Sequence, residues 1–160
     1  KGERVPRLRT LLEWIRGKCK VYFDVKAADI AKLIDLVDEL KMRDQVFFWF
    51  GNKLEAAQFR RLDKELPLKI NVKEVKELRF AKRWFRAGII ETSLANAPPA
   101  LLAEAKKLGM RVMILYGGGE KEVFHKILAS GAEMVNLDRL TVYLEVEREE
   151  ARKRRGKETR

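Results

Sequence analysis

The sequence has very few of the residues that form covalent cross-links or structural metal sites. Of its 160 residues one is a cysteine, Cys19, and one is a histidine, His125. A single cysteine excludes a disulfide within these residues, and the pair is too small for structural zinc, which takes about four such ligands. Any metal ion held by this chain would therefore need oxygen ligands.

Long apolar runs and targeting patterns are also absent. No apolar run approaches the roughly 20 residues needed to cross a bilayer. The N-terminus, KGERVPRLRT, lacks the charged-then-apolar order of a signal peptide. With 46% hydrophobic and 37% charged residues, the composition predicts a soluble, cytoplasmic protein with about one domain.

Basic residues exceed acidic ones, and the net charge of +11 indicates an anionic partner. Part of the excess lies in residues 148–160, which contain seven Arg or Lys residues and three Glu residues. We therefore predict a domain at residues 1–147 and a basic C-terminal tail at residues 148–160 that extends a helix. Basic stripes interleaved with aromatic residues, which single-strand binders use, are missing, so we predict no specific nucleic-acid binding.

Short β-rich segments alternate with longer segments of helical periodicity. Six strands are predicted, at residues 21–25, 45–50, 68–72, 88–94, 111–116 and 134–137. Six helices are predicted, at residues 7–16, 29–40, 54–65, 75–85, 99–108 and 120–129. Gly17, Gly109 and Gly131 stand where three of the helices should end. Near-continuously apolar strands separated by helices indicate a parallel sheet covered by helices.

Two observations favour a β/α barrel over an open doubly wound sheet. Polar residues collect near the carboxyl ends of the predicted strands, where barrel active sites lie; they are Asp24, Lys26, Lys69, Asn71, Glu91, Ser93, Asn136 and Asp138. No G-x-G-x-x-G follows any strand, although a dinucleotide-binding sheet would normally have one. We predict an α/β fold, a parallel TIM-type barrel of which six of the eight βα units are present in this chain.

Three consecutive glycines, Gly117, Gly118 and Gly119, follow the fifth predicted strand. One interpretation is a flexible loop between strand and helix. The other is a set of backbone amides exposed to an anion at the start of the next helix.

The first predicted strand ends in a carboxylate and an amine. In VYFDVK, residues 21–26, period-two alternation places Asp24 and Lys26 on the same, inward-facing side. A carboxylate can bind a divalent metal ion, and a neighbouring ammonium can hold a phosphate oxygen. The alternative is an ordinary interior ion pair, because buried charges are usually paired.

Four segments, in this order, resemble the glycerophosphodiester phosphodiesterase family of β/α barrels. VPRLRTLLEWIRG is similar to the family's helix that begins at a proline, and VYFDVK to its strand with a Glu-x-Lys motif, with Asp24 in place of glutamate. AKKLGMRVMILYGGG is similar to a helix that ends at glycine before a strand usually finishing in Trp-Thr, and GAEMVNLDRL resembles the closing segment. Leu115 and Tyr116 replace the Trp-Thr pair, and Leu137 with Asp138 replaces a Thr-Asp pair.

The resemblance implies a phosphoric diester hydrolase of lipid metabolism. Its reaction would be the metal-assisted hydrolysis of a glycerophosphodiester, a small-molecule substrate, to glycerol 3-phosphate and an alcohol. Asp24 would be a metal ligand, Lys26 the catalytic, phosphate-binding residue, and Glu91 a ligand of the glycerol hydroxyls. The cofactor would be Mg²⁺ or Ca²⁺; the shorter aspartate suits the flexible shell of Ca²⁺ better than the tight octahedron of Mg²⁺.

The family's first two strands, which carry two catalytic histidines and a Glu-x-Asp metal pair, have no counterpart in these residues. His125 lies within a predicted outer helix, so we expect the 160 residues alone to be inactive. Six strands would also leave open barrel edges at Val21 and Met134. An upstream segment could complete the barrel, two chains could pair as a homodimer, or the domain could have kept its scaffold and lost its chemistry.

The competing hypothesis is a catalytically inactive barrel fragment that acts as a binding or self-associating module with its basic tail. Trp49, Trp84 and Phe85 are the candidates for its surface. The structural interpretation places Trp49 in the core or at the barrel mouth, and Trp84 and Phe85 against the sheet.

Overall fold

Helices and strands alternate along the chain in a computed structural model, which describes residue 2 and residues 4–158. The strands are β1 (Val21–Val25), β2 (Val46–Phe50), β3 (Lys69–Asn71), β4 (Ile89–Ser93), β5 (Arg111–Tyr116) and β6 (Met134–Leu137). The α-helices are α1 (Leu8–Ile15), α2 (Ile30–Glu39), α3 (Lys53–Leu62), α4 (Val75–Phe85), α5 (Pro99–Lys107), α6 (Lys121–Ser130) and α7 (Leu140–Glu158). Every predicted strand and helix is present, and α7 continues into the basic tail.

The strands form two sheets. β1 and β2 pair in parallel, with Asp24 opposite Trp49, and one bridge joins Phe48 to Leu68 just before β3. The second sheet has the order β3-β4-β5-β6, in which β4, β5 and β6 run parallel to one another. The predicted parallel β/α fold is therefore confirmed. Within the described ranges the strands do not close, because six strands are too few for the usual eight-stranded barrel.

The chain divides into two compact units. Unit one comprises the residues up to Lys69 together with Trp84–Arg86, and unit two comprises Ile70–Arg83 and the residues from Ala87 onward. The division falls inside β3 and inside α4, so it does not follow the borders of the secondary-structure elements.

The helix ends follow from local chemistry. Gly17, Gly109 and Gly131 have φ angles of 77°, 65° and 85°, a left-handed region that glycine enters without steric cost. At the other end, the side chain of Asp29 accepts a hydrogen bond from the Lys32 N–H, and Asn52 does the same for Glu55. These caps satisfy amides that have no partner within the helix.

Aromatic packing orients the sheet of unit one. Phe59 of α3 lies against Phe48 and Phe50 of β2, with ring centroids 4.7 and 5.1 Å apart. Phe23 of β1 stacks on Phe48 at 4.9 Å. Because side chains alternate along a strand, the intervening residues of the two strands lie on the face away from α3; they are Tyr22, Asp24, Phe47 and Trp49.

Asp63, directly after α3, accepts several hydrogen bonds. One carboxylate oxygen accepts the N–H groups of Leu66 and Glu65 at 2.6 and 2.8 Å, and the other binds Arg43 at 2.5 Å. Burial alone would raise the pKa of Asp63, but these hydrogen bonds and the charge of Arg43 favour the anion more strongly. The pKa therefore lies below its usual value.

We expect Asp63→Asn to lower the free energy of unfolding by about 1–2 kcal/mol at pH 7. Since the folded-state pKa is depressed, the carboxylate stabilises the fold above its unfolded-state pKa of about 4, and this contribution disappears as the pH falls through the lower folded-state value. The difference between variant and parent should thus shrink in acid. Urea unfolding at pH 7 and pH 3 measures it, with the exposed Asp35→Asn as control. A difference that does not change with pH would contradict the role of the charge.

In unit two an ion-pair network joins α6 to α7. Lys121 binds Glu145 at 3.1 Å and Glu149 at 3.2 Å. Nδ1 of His125 lies 2.9 Å from a carboxylate oxygen of Glu150. The histidine is thus a partner in helix packing, in line with its predicted place within a helix.

Candidate active site

Asp24 and Lys26 meet at the carboxyl end of β1, on the face away from α3. The ammonium nitrogen of Lys26 lies 2.7 Å from a carboxylate oxygen of Asp24. The Asp24 side chain is 46% exposed and the Lys26 side chain is 68% exposed. Their placement on one face is as predicted. The two groups also form the ion pair of the alternative interpretation, but that pair is exposed to solvent instead of interior.

Trp49 supports this ion pair from the neighbouring strand. It stands opposite Asp24 in the register of β1 and β2, and Nζ of Lys26 lies 4.3 Å from the centroid of its ring. An ammonium over an indole face is attracted by the ring's quadrupole. The Lys26 ammonium is therefore held by a carboxylate and an aromatic face together, with most of its side chain in solvent.

A second lysine contacts the same indole. Lys69, the first residue of β3, is 1% exposed, and its Nζ lies 5.0 Å from the ring centroids of both Tyr22 and Trp49. Sequence reasoning counted Lys69 among the polar residues at strand ends but gave it no role. The available signal was a lysine within an otherwise apolar strand, LPLKINV. We refer to Tyr22, Asp24, Lys26, Trp49 and Lys69 as the lysine–tryptophan cluster.

Glu91 belongs to unit two, where it is buried in β4. Its carboxylate accepts a hydrogen bond of 2.9 Å from Nδ2 of Asn136 on β6. The polar side chains of β4 and β6 therefore meet within the sheet, as their positions in the sequence indicated. The predicted role of Glu91 in binding glycerol hydroxyls remains a prediction.

The described residues do not form a metal site by themselves. They contain no group of three or more histidine, cysteine, aspartate or glutamate side chains that could hold an ion. Asp24 is the one carboxylate of the lysine–tryptophan cluster, and its oxygen binds Lys26. Ca²⁺ takes six to eight oxygen ligands and Mg²⁺ about six, so this carboxylate could supply only a small part of the ligands that either ion needs.

The three glycines after β5 form a loop that binds a carboxylate of the chain itself. The N–H of Gly119 donates to a carboxylate oxygen of Glu120 at 3.0 Å, and the Tyr116 hydroxyl donates to the same oxygen. The tyrosine hydrogen bond, aided by the amide, holds the pKa of Glu120 below its usual value. A side chain at Gly118 would overlap both the Tyr116 hydroxyl and this carboxylate. The loop is therefore neither a free linker nor an open anion site.

The two aromatic residues at the end of α4 differ in their surroundings. Phe85 is buried, as the packing interpretation predicted, whereas Trp84 is 63% exposed, so that interpretation is wrong for Trp84. Consecutive residues of an α-helix point about 100° apart, so both cannot face the same core. Trp84 borders an open groove on unit one whose other lining residues are Leu54, Ala57, Gln58, Arg60 and Arg61.

The fold and the cluster define a class of protein. Parallel β/α proteins place functional side chains at the carboxyl ends of their strands, and Asp24, Lys26 and Trp49 lie at such ends. In the part of the chain that is described, no helix has the length and apolar character needed to cross a membrane. The class is therefore a parallel β/α protein with a charged, solvent-accessible cluster on its sheet.

Comparison with solved structures identifies the family that the chain resembles. A glycerophosphodiester phosphodiesterase from Agrobacterium tumefaciens str. C58 is 28% identical, with a TM-score of 0.81 over 87% of this chain and 61% of that one. Another from Parabacteroides distasonis ATCC 8503 is 15% identical, with a TM-score of 0.74 over 92% of this chain and 66% of that one. The second likeness shows the fold alone. No protein-family model matches, and no curated protein sequence matches significantly.

The fold is thus similar to part of the β/α barrel of glycerophosphodiester phosphodiesterases, and the resemblance inferred from the sequence is confirmed. It spans less than two thirds of the length of these relatives.

Proposed function

We propose that this chain carries the phosphate-binding part of a hydrolase that cleaves glycerophosphodiesters to glycerol 3-phosphate and an alcohol. The observation that carries the proposal is the ammonium of Lys26, fixed at the exposed end of β1 by Asp24 and Trp49. Its support from outside the chain is the fold shared with the Agrobacterium tumefaciens phosphodiesterase.

Lys26 would bind a non-bridging oxygen of the phosphate. A cation already in place stabilises the charge that develops on those oxygens in the transition state without having to reorganise. Asp24 and Trp49 restrict the rotamers of Lys26, which lowers the entropy lost when the phosphate binds. Lys26 is in this proposal both the substrate-binding and the catalytic residue.

Asp24 and Glu91 would have supporting roles, and Asp24 would need further metal ligands. Asp24 would contribute one ligand to Mg²⁺ or Ca²⁺, and the other ligands would lie outside the described residues. Glu91, whose carboxylate also accepts a hydrogen bond from Asn136, would accept hydrogen bonds from glycerol hydroxyls. A place in lipid metabolism and a cytoplasmic location stay predictions.

An acid–base pair for this reaction is not found in the described residues. The one histidine of the sequence, His125, pairs with Glu150 on α7 in unit two. Phosphodiester cleavage needs a group to activate water and another to protonate the leaving alkoxide. We therefore propose that the 160 residues bind the phosphodiester but do not turn it over unaided.

The proposal is tested by extending the chain at its N-terminus with the two βα units that the family resemblance implies, taken from the Agrobacterium tumefaciens protein. We expect this chimera to hydrolyse bis-p-nitrophenyl phosphate with added Mg²⁺, Mn²⁺ or Ca²⁺, and the 160 residues alone to release no nitrophenol. Circular dichroism establishes that the chimera is folded. Turnover that survives removal of divalent ions by a chelator would contradict the metal-assisted reaction.

A second candidate function is a non-catalytic binding or self-associating module. It is favoured by the exposed Trp84 and Leu54 beside Arg61, in a groove lined without any carboxylate. Salt-sensitive binding of an anion by a folded chimera that shows no turnover would favour this candidate. Self-association through the sheet edges, which light scattering would detect, stays a prediction.

A further inference from the structure

The groove that Trp84 borders on unit one exposes two large apolar side chains to solvent. Leu54, near the start of α3, is 84% exposed, and Trp84, near the end of α4, is 63% exposed. The small side chain of Ala57 and the long one of Arg61 also line the groove. Since they follow Leu54 by three and seven residues, these positions lie on one face of α3. Large apolar side chains exposed together mark sites of interaction.

The charge around the groove is positive. Arg61 is exposed, and none of the lining residues in the described part of the chain carries a carboxylate. Arg86 is also exposed and follows Phe85, whose carbonyl accepts the 2.7 Å hydrogen bond from Arg60, itself a lining residue. Burial lowers the pKa of Arg60, Asp63 opposes this effect, and the charge of Arg86 lowers the pKa further. Arg86 therefore adds a second exposed cation beside the groove.

The backbone of Arg86 has a conformation that arginine rarely adopts. Its φ angle of 47° lies in the left-handed region, where a Cβ atom is crowded. After three other helices the same kind of turn is made by Gly17, Gly109 and Gly131, which enter this region without steric cost. For the fold alone, glycine would cost less than arginine at position 86. Strain of this kind is typical of functional positions.

We propose that this groove binds an acidic amphipathic helix of a partner protein, with an apolar side chain against Leu54 and Trp84 and carboxylates on Arg61 and Arg86. Tryptophan and arginine are the residues that most often dominate protein interfaces, and an amphipathic helix in an apolar groove is a common mode of recognition. The inference is independent of the proposed hydrolysis, because Lys26 lies on the face of β1 away from α3. It gives the second candidate function a ligand of stated chemistry.

The lining favours a peptide over a single-stranded nucleic acid. Proteins that bind single strands stack successive bases on several aromatic side chains, whereas Trp84 is the one aromatic residue among those that line the groove in the described part of the chain. Leu54 and Ala57 provide an aliphatic surface that suits a leucine side chain. Guanidinium groups such as that of Arg61 bind carboxylates through two parallel hydrogen bonds.

The test is a titration of a fluorescein-labelled peptide of about 14 residues, roughly four helical turns, with leucine along one face and glutamate beside it. Fluorescence anisotropy with the 160-residue protein should give a Kd of about 10–100 μM, typical of a small, transient interface. The same peptide with lysine for glutamate, or with alanine for leucine, should bind at least about 10-fold more weakly. Added salt should weaken binding of the acidic peptide.

Two variants test the groove itself. Trp84→Ala and Arg61→Ala should each weaken binding of the acidic peptide about 10-fold. Because both side chains are exposed, the melting temperature should stay close to that of the parent.

Arg86→Gly separates binding from folding. It should weaken peptide binding about 10-fold and leave the melting temperature equal to that of the parent or higher, because glycine relieves the left-handed strain. Lys41→Gly is the matched control. Lys41 is exposed and has a φ angle of 54°, so this variant also loses a charge and the strain, yet it should bind the peptide as the parent does.

Binding of the lysine peptide as tightly as the acidic one would overturn the inference, as would undiminished binding in Trp84→Ala, Arg61→Ala and Arg86→Gly together. Oligo(dT) that displaces the peptide and fails to bind Trp84→Ala would assign the groove to single-stranded nucleic acid and overturn it as well. Absence of phosphodiester hydrolysis in the chimera would contradict the proposed function and leave these titrations unaffected.

Discussion

Replacing Lys26 with alanine is expected to lower turnover of a glycerophosphodiester by about 100- to 1000-fold, the usual effect of removing one preorganised group that stabilises transition-state charge. The measurement is kcat for bis-p-nitrophenyl phosphate in the N-terminally extended chimera. The ammonium of Lys26 is held by Asp24 and Trp49 before substrate arrives, so its loss removes a charge that no reorganisation of the site replaces.

Stability should hardly change in the same variant. The Asp24–Lys26 pair is solvent-exposed, and exposed ion pairs contribute about 0–1 kcal/mol. The melting temperature of Lys26→Ala should therefore stay close to that of the parent, which separates a chemical role from a structural one. Lys64→Ala serves as the control for loss of a surface charge. Undiminished turnover in Lys26→Ala would remove Lys26 from the mechanism.

Replacing Arg60 with alanine is expected to destabilise the chain by about 3–5 kcal/mol, one of the largest losses that a single substitution here should cause. Arg60 is a buried residue of α3 whose guanidinium donates to three backbone carbonyls. These are the carbonyl oxygens of Phe85 at 2.7 Å, Asp63 at 3.0 Å and Leu66 at 3.0 Å. Without the guanidinium, carbonyl groups away from water lose their partners.

Arg61, the next residue in the sequence after Arg60, supplies the matched control. Arg61 is exposed on the same helix, so Arg61→Ala should change the free energy of unfolding by no more than about 0.5 kcal/mol. Arg60→Lys keeps the charge but not the planar fork that reaches several acceptors, and should recover only part of the stability. Urea denaturation of the three variants at pH 7 measures these differences. An Arg60→Ala variant as stable as Arg61→Ala would show that the three hydrogen bonds contribute little.

The alternation of strands and helices could be predicted because each element buries its apolar residues with its own period. The same reasoning placed Asp24 and Lys26 on one face of β1. It did not predict their exposure, since exposure depends on what lies beyond a strand, and among the described strands β1 pairs with β2 alone. The face on which a side chain lies follows from its position in the strand, whereas its burial depends on which other elements pack against that face.

The missed residues have physical explanations too. Lys69 obtains its aromatic partners, Tyr22 and Trp49, from two other strands, and a single sequence does not show that tertiary arrangement. Trp84 could have been assigned correctly from α4 alone. Leu78, Ala81 and Phe85 are all buried and follow the helical spacing of a core-facing stripe, which leaves Trp84 on the side.

Because the guanidinium of Arg60 bonds to the carbonyl of Phe85, the N-terminal segment of unit one depends on the short segment Trp84–Arg86, which belongs to the same unit but follows later in the sequence. A protein cut after Lys69 would keep every strand and helix of that part up to α3 and yet lose the acceptor at 2.7 Å from its buried guanidinium. Limited proteolysis should therefore not release a stable N-terminal half.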